Sequence, residues 1–214
     1  AVRKGDHYVI NGAKTFITNG MTSQLMLVVC KTDPALGSKG ISLLGLELDT
    51  KPEGFRVGRV LDKMGQKAAD TCELFFDDVK APAENLLGGV EGKGFEQMMS
   101  QLPWERLLVA VVAAAVIERA VEVTVEYTRG RKAFERSLFD FQNTRFKLAE
   151  CATIAHIVRS FVNDCTQRYL DGNLDAEAAY MAKWWCSEQQ CKVLDTCVQL
   201  FGGYGYTKDF PVEK

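Results

Sequence analysis

The amino-acid sequence predicts an α+β multi-domain fold: an antiparallel β sandwich or barrel domain followed by an up-and-down helical bundle, both incomplete. Residues 1–86 contain short strand-forming runs separated by Gly and Pro, which is typical of a sandwich or barrel. From Gly94 onward, apolar residues recur at steps of three and four, the period of a helix. We therefore expect a β domain over residues 1–86 and a helical domain over residues 87–214.

The β half contains five strand-forming runs. Strand formers flank Asn11-Gly12 within residues 8–18, and this dipeptide is the strongest short signal for a hairpin turn. We therefore predict a hairpin there. Further strands are expected at residues 25–31, 41–48, 55–61 and 72–79.

The helical half should contain three long helices. One apolar stripe comprises Cys151, Ile154, Val158, Phe161 and Cys165, and a second comprises Ala179, Ala182, Cys186, Val193, Cys197 and Leu200, with the polar Gln189 inside it. Breaks are expected at residues 129–131 and 171–173, and Asp175 is a plausible N-cap. Because up-and-down bundles usually have four helices, we expect a further helix beyond Lys214 and a longer parent protein.

Charge and cysteine content exclude several classes of protein. Lys plus Arg number 26 against 28 for Asp plus Glu, so no broad attraction to nucleic acid or an anionic membrane is expected. The seven cysteines form no C-x-x-C pair and the two histidines lie far apart, which predicts neither a metal site nor a disulfide framework. The longest apolar run, residues 107–117, is shorter than the roughly 20 residues of a membrane span.

Glu105 is the first candidate for chemistry. It shares a helix face with Leu108, Val109 and Val112, so we expect it in an apolar wall, where desolvation would make it a stronger base. Pro103 should start or kink the helix nearby. On the residue pattern alone, a first-turn carboxylate favoured by the helix dipole explains Glu105 better.

Three further segments could contact a ligand. Residues 129–134 combine three cations with an aromatic ring and could hold a pyrophosphate; a basic turn after a helix explains them too. Residues 199–206 are rich in glycine and follow a helix, so their backbone could approach a ligand closely. A glycine C-cap that ends the helix explains them equally well. Residues 14–20 place the ring of Phe16 and the hydroxyl of Thr18 at a strand end, where both could contact a ligand; an ordinary amphipathic strand end explains them too. Residues 88–94 lack the Ser or Thr that a phosphate loop requires, and no G-x-G-x-x-G fingerprint occurs.

Six motifs occur in order along the chain: Tyr8-Val-Ile-Asn-Gly-x-Lys-x-Phe-Ile-Thr-Asn-Gly20, Lys63-Met-Gly-x-Lys-Ala-x-Asp-Thr71, Glu73-Leu-Phe-Phe-Asp-Asp-Val79, Arg131-Lys-Ala-Phe134, Phe141-Gln142 and Gln199-Leu-Phe-Gly-Gly-x-Gly-Tyr206. Taken together and in this order, they resemble the acyl-CoA dehydrogenase family. The resemblance implies a homotetramer with one FAD per subunit. It also implies oxidation of an acyl-CoA to the trans-2-enoyl-CoA, with electrons passed to electron-transferring flavoprotein.

The resemblance also implies the roles of individual residues. Phe16 and Thr18 would contact the flavin ring, and Arg131 and Phe134 would reach FAD across a subunit interface. Gln199, Gly202 and Gly203 would lie near the adenosine and pyrophosphate, and Gln142 at a helix start would also bind the cofactor. Glu135 stands where the family prefers Gly, a departure that affects the local FAD contact.

Glu105 and Arg106 indicate the subgroup. Long-chain and isovaleryl enzymes resemble this chain in having a catalytic Glu directly before an Arg on the first long helix. Pro103 favours the long-chain type. Glu105 is then the catalytic base and Arg106 a substrate-binding residue in fatty-acid β-oxidation.

Several alternatives stay open. These are an isovaleryl-type enzyme, a base in a tail beyond this chain, and a non-catalytic scaffold. We expect the 214-residue chain alone to be inactive, and a bacterial cytoplasm or a mitochondrial matrix fits equally well.

Overall fold

Strands and helices separate along the chain as the two periodicities predict. The computed structural model describes residues 1–213, and the chain divides into two units, Ala1–Ser100 and Gln101–Lys214. The boundary between residues 86 and 87 stays a prediction, because the first long helix begins at Gly94 and continues past Ser100.

The first unit contains six antiparallel strands in two sheets. The strands are β1 (Val2–Lys4), β2 (His7–Thr18), β3 (Leu25–Lys31), β4 (Ile41–Glu47), β5 (Phe55–Val60) and β6 (Thr71–Pro82). One sheet has the order β1-β2-β6-β5, and the other pairs β3 with β4. Tyr8, Val28, Leu44 and Leu74, drawn from both sheets, are at least 97% buried and belong to one core, so the predicted antiparallel β domain is confirmed.

The hairpin predicted at Asn11-Gly12 is wrong, because β2 runs straight through it. Ile10 pairs with Val79 and Gly12 with Phe76, so Asn11 faces the two residues Asp77 and Asp78 of β6. The Asn11 side-chain amide donates to Asp78 Oδ1 (2.8 Å) and accepts from the Asp78 backbone N–H (2.9 Å). Asn-Gly therefore supports a β-bulge here, since the side-chain amide that suits a turn also satisfies a bulged backbone.

The second unit is built on three long helices: α1 (Gly94–Gly130), α2 (Gln142–Leu170) and α3 (Ala176–Phe201). A two-stranded hairpin, β7 (Lys132–Ala133) and β8 (Arg136–Ser137), separates α1 from α2. The start of α1 is set by close packing, because a Cβ on Gly94 would lie 2.8 Å from the carbonyl carbon of Ser42. Pro103 lies inside α1, so it does not start the helix, and the alternative that it kinks the helix stays a prediction.

Both predicted stripes form the core of the second unit. Cys151, Val158 and Cys165 of α2 and Ala182, Cys186, Val193 and Cys197 of α3 are at most 2% exposed and belong to one cluster. Asp175 caps α3 as predicted, accepting a hydrogen bond from the Ala178 N–H at 2.6 Å. The expected fourth helix falls outside the described residues. No helix within residues 1–213 is long and apolar enough to cross a membrane.

Candidate active site

Glu105 lies on an exposed apolar face of α1. Leu108, Val109 and Val112 on that face are 42%, 44% and 60% exposed, and Glu105 itself is exposed. The prediction of an apolar face is correct, but the predicted burial of the carboxylate is wrong for this chain. The reason is that α1 directs a different set of side chains, including Leu107 and Ala110, into the core of the unit.

The two neighbours of Glu105 in the sequence each contact an aromatic ring of another helix. The Trp104 ring stacks on Tyr169 of α2, with centroids 4.5 Å apart and planes at 22°. The Arg106 guanidinium carbon lies 4.0 Å from the centroid of Tyr180 on α3. Sequence reasoning missed both contacts, because their partners are more than 60 positions away and no periodicity links them.

A second set of predicted residues meets in one pocket. Arg131, Gln199, Gly202 and Gly203 line a pocket of about 460 Å³ together with Tyr127 and Tyr204. The Arg131 guanidinium lies 5.6 Å from the Tyr204 ring centroid. In the pocket lining, the Tyr127 ring stacks on the Phe201 ring with centroids 4.0 Å apart, and the Tyr127 hydroxyl donates to the Phe201 carbonyl at 3.2 Å. The chain thus brings together the four residues that two separate motifs contribute.

Phe134 stands at the tip of the β7–β8 hairpin. It is 89% exposed, and both Phe134 and Glu135 have positive φ angles, of 52° and 64°. A two-residue hairpin turn of this kind requires positive φ at both central residues. This requirement gives a physical reason for the glycine that the resemblance implies at position 135. The Phe134 ring centroid lies 6.5 Å from that of Phe141, directly before the exposed Gln142 that begins α2.

Phe16 and Thr18 lie at the end of β2 in the first unit. Lys14 pairs with Leu74 and Ile17 with Cys72, so Thr15 and Phe16 face the single residue Glu73 across a second β-bulge. Phe16 has φ 61° and is 75% exposed, an uncommon state for a bulky residue. Bulges change the direction of side chains next to functional sites. The exposed Thr18 lies two residues after Phe16.

Glu105 and the Arg131 pocket are far apart along α1. Glu105 is 25 residues from Gly130, where the helix ends, and a rise of 1.5 Å per residue separates them by about 38 Å. The residues predicted for base catalysis and for cofactor binding in this unit therefore do not form one cluster. Within residues 1–213, no group of three His, Cys, Asp or Glu side chains could hold a metal ion.

Comparison with known proteins gives a consistent assignment over the whole chain. Residues 1–79 match the model of the acyl-CoA dehydrogenase middle domain, and residues 92–214 match that of the acyl-CoA dehydrogenase C-terminal domain. The chain is 46% identical to a mitochondrial long-chain specific acyl-CoA dehydrogenase of Mus musculus, covering all of this chain and 50% of the relative. It is 40% identical to a short-chain specific acyl-CoA dehydrogenase of Clostridium acetobutylicum, covering 100% of this chain and 56% of the relative.

A solved structure agrees with these matches. The acyl-CoA dehydrogenase from Geobacillus kaustophilus superimposes with a TM-score of 0.95 at 44% identity, covering 99% of this chain and 56% of that one. The chain spans about half the length of the curated relatives it matches. The residues, the order of the elements and both family models agree, and the chain therefore belongs to the acyl-CoA dehydrogenase family.

Proposed function

We propose that the protein acts as an FAD-dependent acyl-CoA dehydrogenase, with Glu105 as the base that removes the α-proton of the thioester. The observation that carries the proposal is a single carboxylate in an apolar strip of α1, in a chain of this family. An apolar strip suits a fatty-acyl chain because it offers it no competing polar groups. The exposed state of the strip leaves Glu105 accessible to a substrate.

The Arg131 pocket suits the diphosphate part of FAD. Arg131 supplies forked cationic donors for phosphate oxygens. A Cβ added to Gly202 or Gly203 would meet nothing within 4 Å, so a ligand has open space to approach their backbone. The proposed cofactor-binding residues are Phe16, Thr18, Arg131, Phe134, Gln142, Gln199, Gly202 and Gly203. When bound, FAD supplies the acceptor for the hydride that leaves the substrate's β-carbon.

The chain's own contribution to the reaction is proton removal and orientation. The Glu105 carboxylate takes the α-proton and becomes the neutral acid, while the double bond forms between the α- and β-carbons. Arg106, next to it on α1, is proposed to bind the substrate. A general base of this kind contributes about 10²- to 10⁴-fold to a rate.

The separation along α1 supports an oligomer. About 38 Å lies between Glu105 and the end of α1 next to Arg131. We propose that Arg131 and Phe134 of one subunit bind the FAD of another, in the homotetramer that the resemblance implies. Glu105 would act on the substrate bound next to the FAD of its own subunit. We also propose electron-transferring flavoprotein as the acceptor, and a mitochondrial matrix or a bacterial cytoplasm as the location.

We propose a long-chain substrate, supported by the 46% identity to a long-chain specific relative and by the Glu105-Arg106 pair. A branched-chain enzyme of the isovaleryl type is the second candidate. Values of kcat/KM for straight acyl-CoA thioesters of increasing length, and for isovaleryl-CoA, distinguish the two, since a hydrophobic pocket discriminates by about 1–3 kcal/mol per methylene. A maximum at isovaleryl-CoA would rule out the long-chain assignment.

Replacement of Glu105 tests the base. In the full-length protein, Glu105→Gln should slow anaerobic bleaching of the flavin by acyl-CoA by at least about 10²-fold, with FAD content unchanged. Glu122→Gln is the matched control, because Glu122 is an exposed carboxylate of the same helix, and it should bleach at the parent rate. Near-normal bleaching by Glu105→Gln would assign the base elsewhere, and absence of bleaching in the parent protein would support a scaffold.

A further inference from the structure

We propose that Tyr169 and Tyr180 are positioning residues for Glu105, acting through the two residues that flank it in the sequence. The inference rests on the proposed function, because it assigns Glu105 the role of base. Tyr169 stacks on Trp104 and Tyr180 lies against Arg106. The two contacts therefore hold the residues immediately before and immediately after the carboxylate.

The two rings lie close together in the sequence and belong to neighbouring helices. Tyr169 is in the last turn of α2 and Tyr180 is near the start of α3. The short connection between these helices carries Asp175, which caps α3 and also lies 4.0 Å from Arg168. The two rings therefore extend from the ends of α2 and α3 that this connection joins. Through Trp104 and Arg106 they contact α1 on both sides of Glu105.

Helix geometry explains why a contact on each side matters. Successive residues of an α-helix point about 100° apart around the axis, so Trp104 and Arg106 lie on either side of the direction of Glu105. Contacts on both sides resist rotation of α1 in either sense. At a side-chain radius of 5–6 Å, a rotation of about 10° would displace the carboxylate by roughly 1 Å.

A displacement of that size is enough to affect proton transfer. A misplacement of about 1 Å costs up to 10²-fold in rate when a catalytic group must meet a bound substrate. At Tyr169 the effect should fall on the chemical step, because Trp104 is not a proposed substrate-binding residue, and we expect a loss in kcat with little change in KM. Tyr180 also holds Arg106, the proposed substrate-binding residue, so its loss should lower kcat and raise KM together.

The rings lie at the surface of the second unit and not in its core. Trp104, Tyr169 and Tyr180 are 36%, 41% and 41% exposed. By contrast, Leu107, Ala110 and Ile117 of α1 are at most 1% exposed and hold the helix in the core. Core residues keep α1 in place, and the surface stacks define its rotation near Glu105.

Leucine and phenylalanine variants of the full-length protein test the inference. Tyr169→Leu and Tyr180→Leu, made separately, should each slow flavin reduction by about 10-fold. KM should stay within about 2-fold of the parent value in Tyr169→Leu and should rise in Tyr180→Leu, which also frees Arg106. Tyr169→Phe and Tyr180→Phe keep the ring and should restore the parent rate. Phe146→Leu is the control for loss of an exposed ring from α2, and its rate should equal that of the parent.

An isotope measurement separates positioning from stability. The primary isotope effect on flavin reduction with α-deuterated acyl-CoA should rise in the leucine variants, because proton removal becomes more rate-limiting. An unchanged rate and isotope effect would overturn the inference, as would an equal loss in the phenylalanine variants or a loss of bound FAD. Normal bleaching by Glu105→Gln would refute Glu105 as the base, and the positioning role would fail with it. Slow bleaching by Glu105→Gln together with parent rates in the leucine variants would refute the positioning role alone.

Discussion

At the residue scale, the candidate site contains side chains held in an uncommon backbone state. Phe16, Phe134 and Glu135 all have positive φ angles, and two of them are exposed aromatic residues in segments that the resemblance places at the flavin. Left-handed backbone costs a non-glycine residue free energy, and such strain concentrates at functional sites. The sequence located both aromatic residues but contained no signal for their backbone state, which depends on a bulge and a two-residue turn.

Glu135→Gly should stabilise the protein by about 1 kcal/mol, because glycine adopts the left-handed turn at position 135 without the Cβ clash. Arg136→Gly is the control: Arg136 belongs to strand β8 and does not have a positive φ, so glycine there should destabilise. Urea unfolding midpoints of the two variants and the parent give the comparison. Equal destabilisation by both variants would contradict a strained turn.

Cys191 should be the one rapidly reacting thiol of the seven, since Cys191 is exposed and the other six are buried. Reactivity requires a thiolate that is also accessible. Burial raises the pKa of Cys186 to about 11. A hydrogen bond from Cys151 lowers the pKa of Cys197, but Cys197 has no exposed surface.

Titration of the native chain with a chromogenic disulfide reagent should therefore show one fast thiol. Cys191→Ser should remove that fast phase, and the denatured parent should release all seven thiols. A fast phase that survives in the Cys191→Ser variant would show that at least one unit opens more readily than its packing indicates.

At the element scale, periodicity predicted the elements, and the structure adds the contacts that hold one helix to another. The start of α1, the N-cap of α3 and the strand β3 agree with the predicted positions. The Glu118–Arg159 pair between α1 and α2 could not be predicted, because 41 residues separate its partners. Arg159 Nε and Nη2 donate to the two Glu118 oxygens at 2.7 and 2.6 Å, a forked geometry that is stronger than a single contact.

Glu118→Gln should cost about 0.5–1 kcal/mol of unfolding free energy at pH 7, because the pair is partly exposed and screened by solvent. The hydrogen bond from Arg159 lowers the pKa of Glu118 below its usual 4.5. A lowered carboxyl pKa stabilises the fold above pH 4.5, and this contribution is lost as pH falls through the folded-state pKa.

Stability curves from pH 3 to pH 7 check this prediction. The difference between Glu118→Gln and the parent should be largest at neutral pH and should vanish in acid. Glu122→Gln is the control, because its pair with Arg119 lies within α1 and is more exposed. A Glu118→Gln difference that stays constant down to pH 3 would mean that packing, rather than charge, links the helices.

Asp175→Ala should cost about 1 kcal/mol, because it removes the side-chain acceptor that caps α3 at the Ala178 N–H. Asp171→Ala is a suitable control: Asp171 follows the last residue of α2, where a side-chain acceptor cannot satisfy free carbonyls. Thermal unfolding of both variants measures the effect. Equal losses in the two variants would argue that the Asp175 cap makes no specific contribution to stability.

At the scale of the whole molecule, the predicted site residues occur in both units, and within the second unit Glu105 lies far along α1 from Arg131. Phe16 and Thr18 belong to the first unit, and the other predicted site residues belong to the second. The chain also spans about half of its relatives. We therefore expect a working site to need more protein than these 214 residues.

The 214-residue chain alone should therefore show no flavin reduction when acyl-CoA is added anaerobically in the presence of FAD. The full-length protein under the same conditions should bleach, and it serves as the positive control. Circular dichroism of the isolated chain must first confirm its helices. Bleaching by the folded isolated chain would contradict the distributed site.

The sequence by itself determined the division into a β half and a helical half, the order of the three long helices, the buried faces of α2 and α3, and the family. Hydrophobic period and collinear motifs are local properties, and each element follows from its own residues. The tertiary structure decided that Asn11-Gly12 is a bulge rather than a turn, that Glu105 is exposed, and that Tyr169 and Tyr180 contact its neighbours. These features depend on partners distant in the sequence, which only the folded chain brings together.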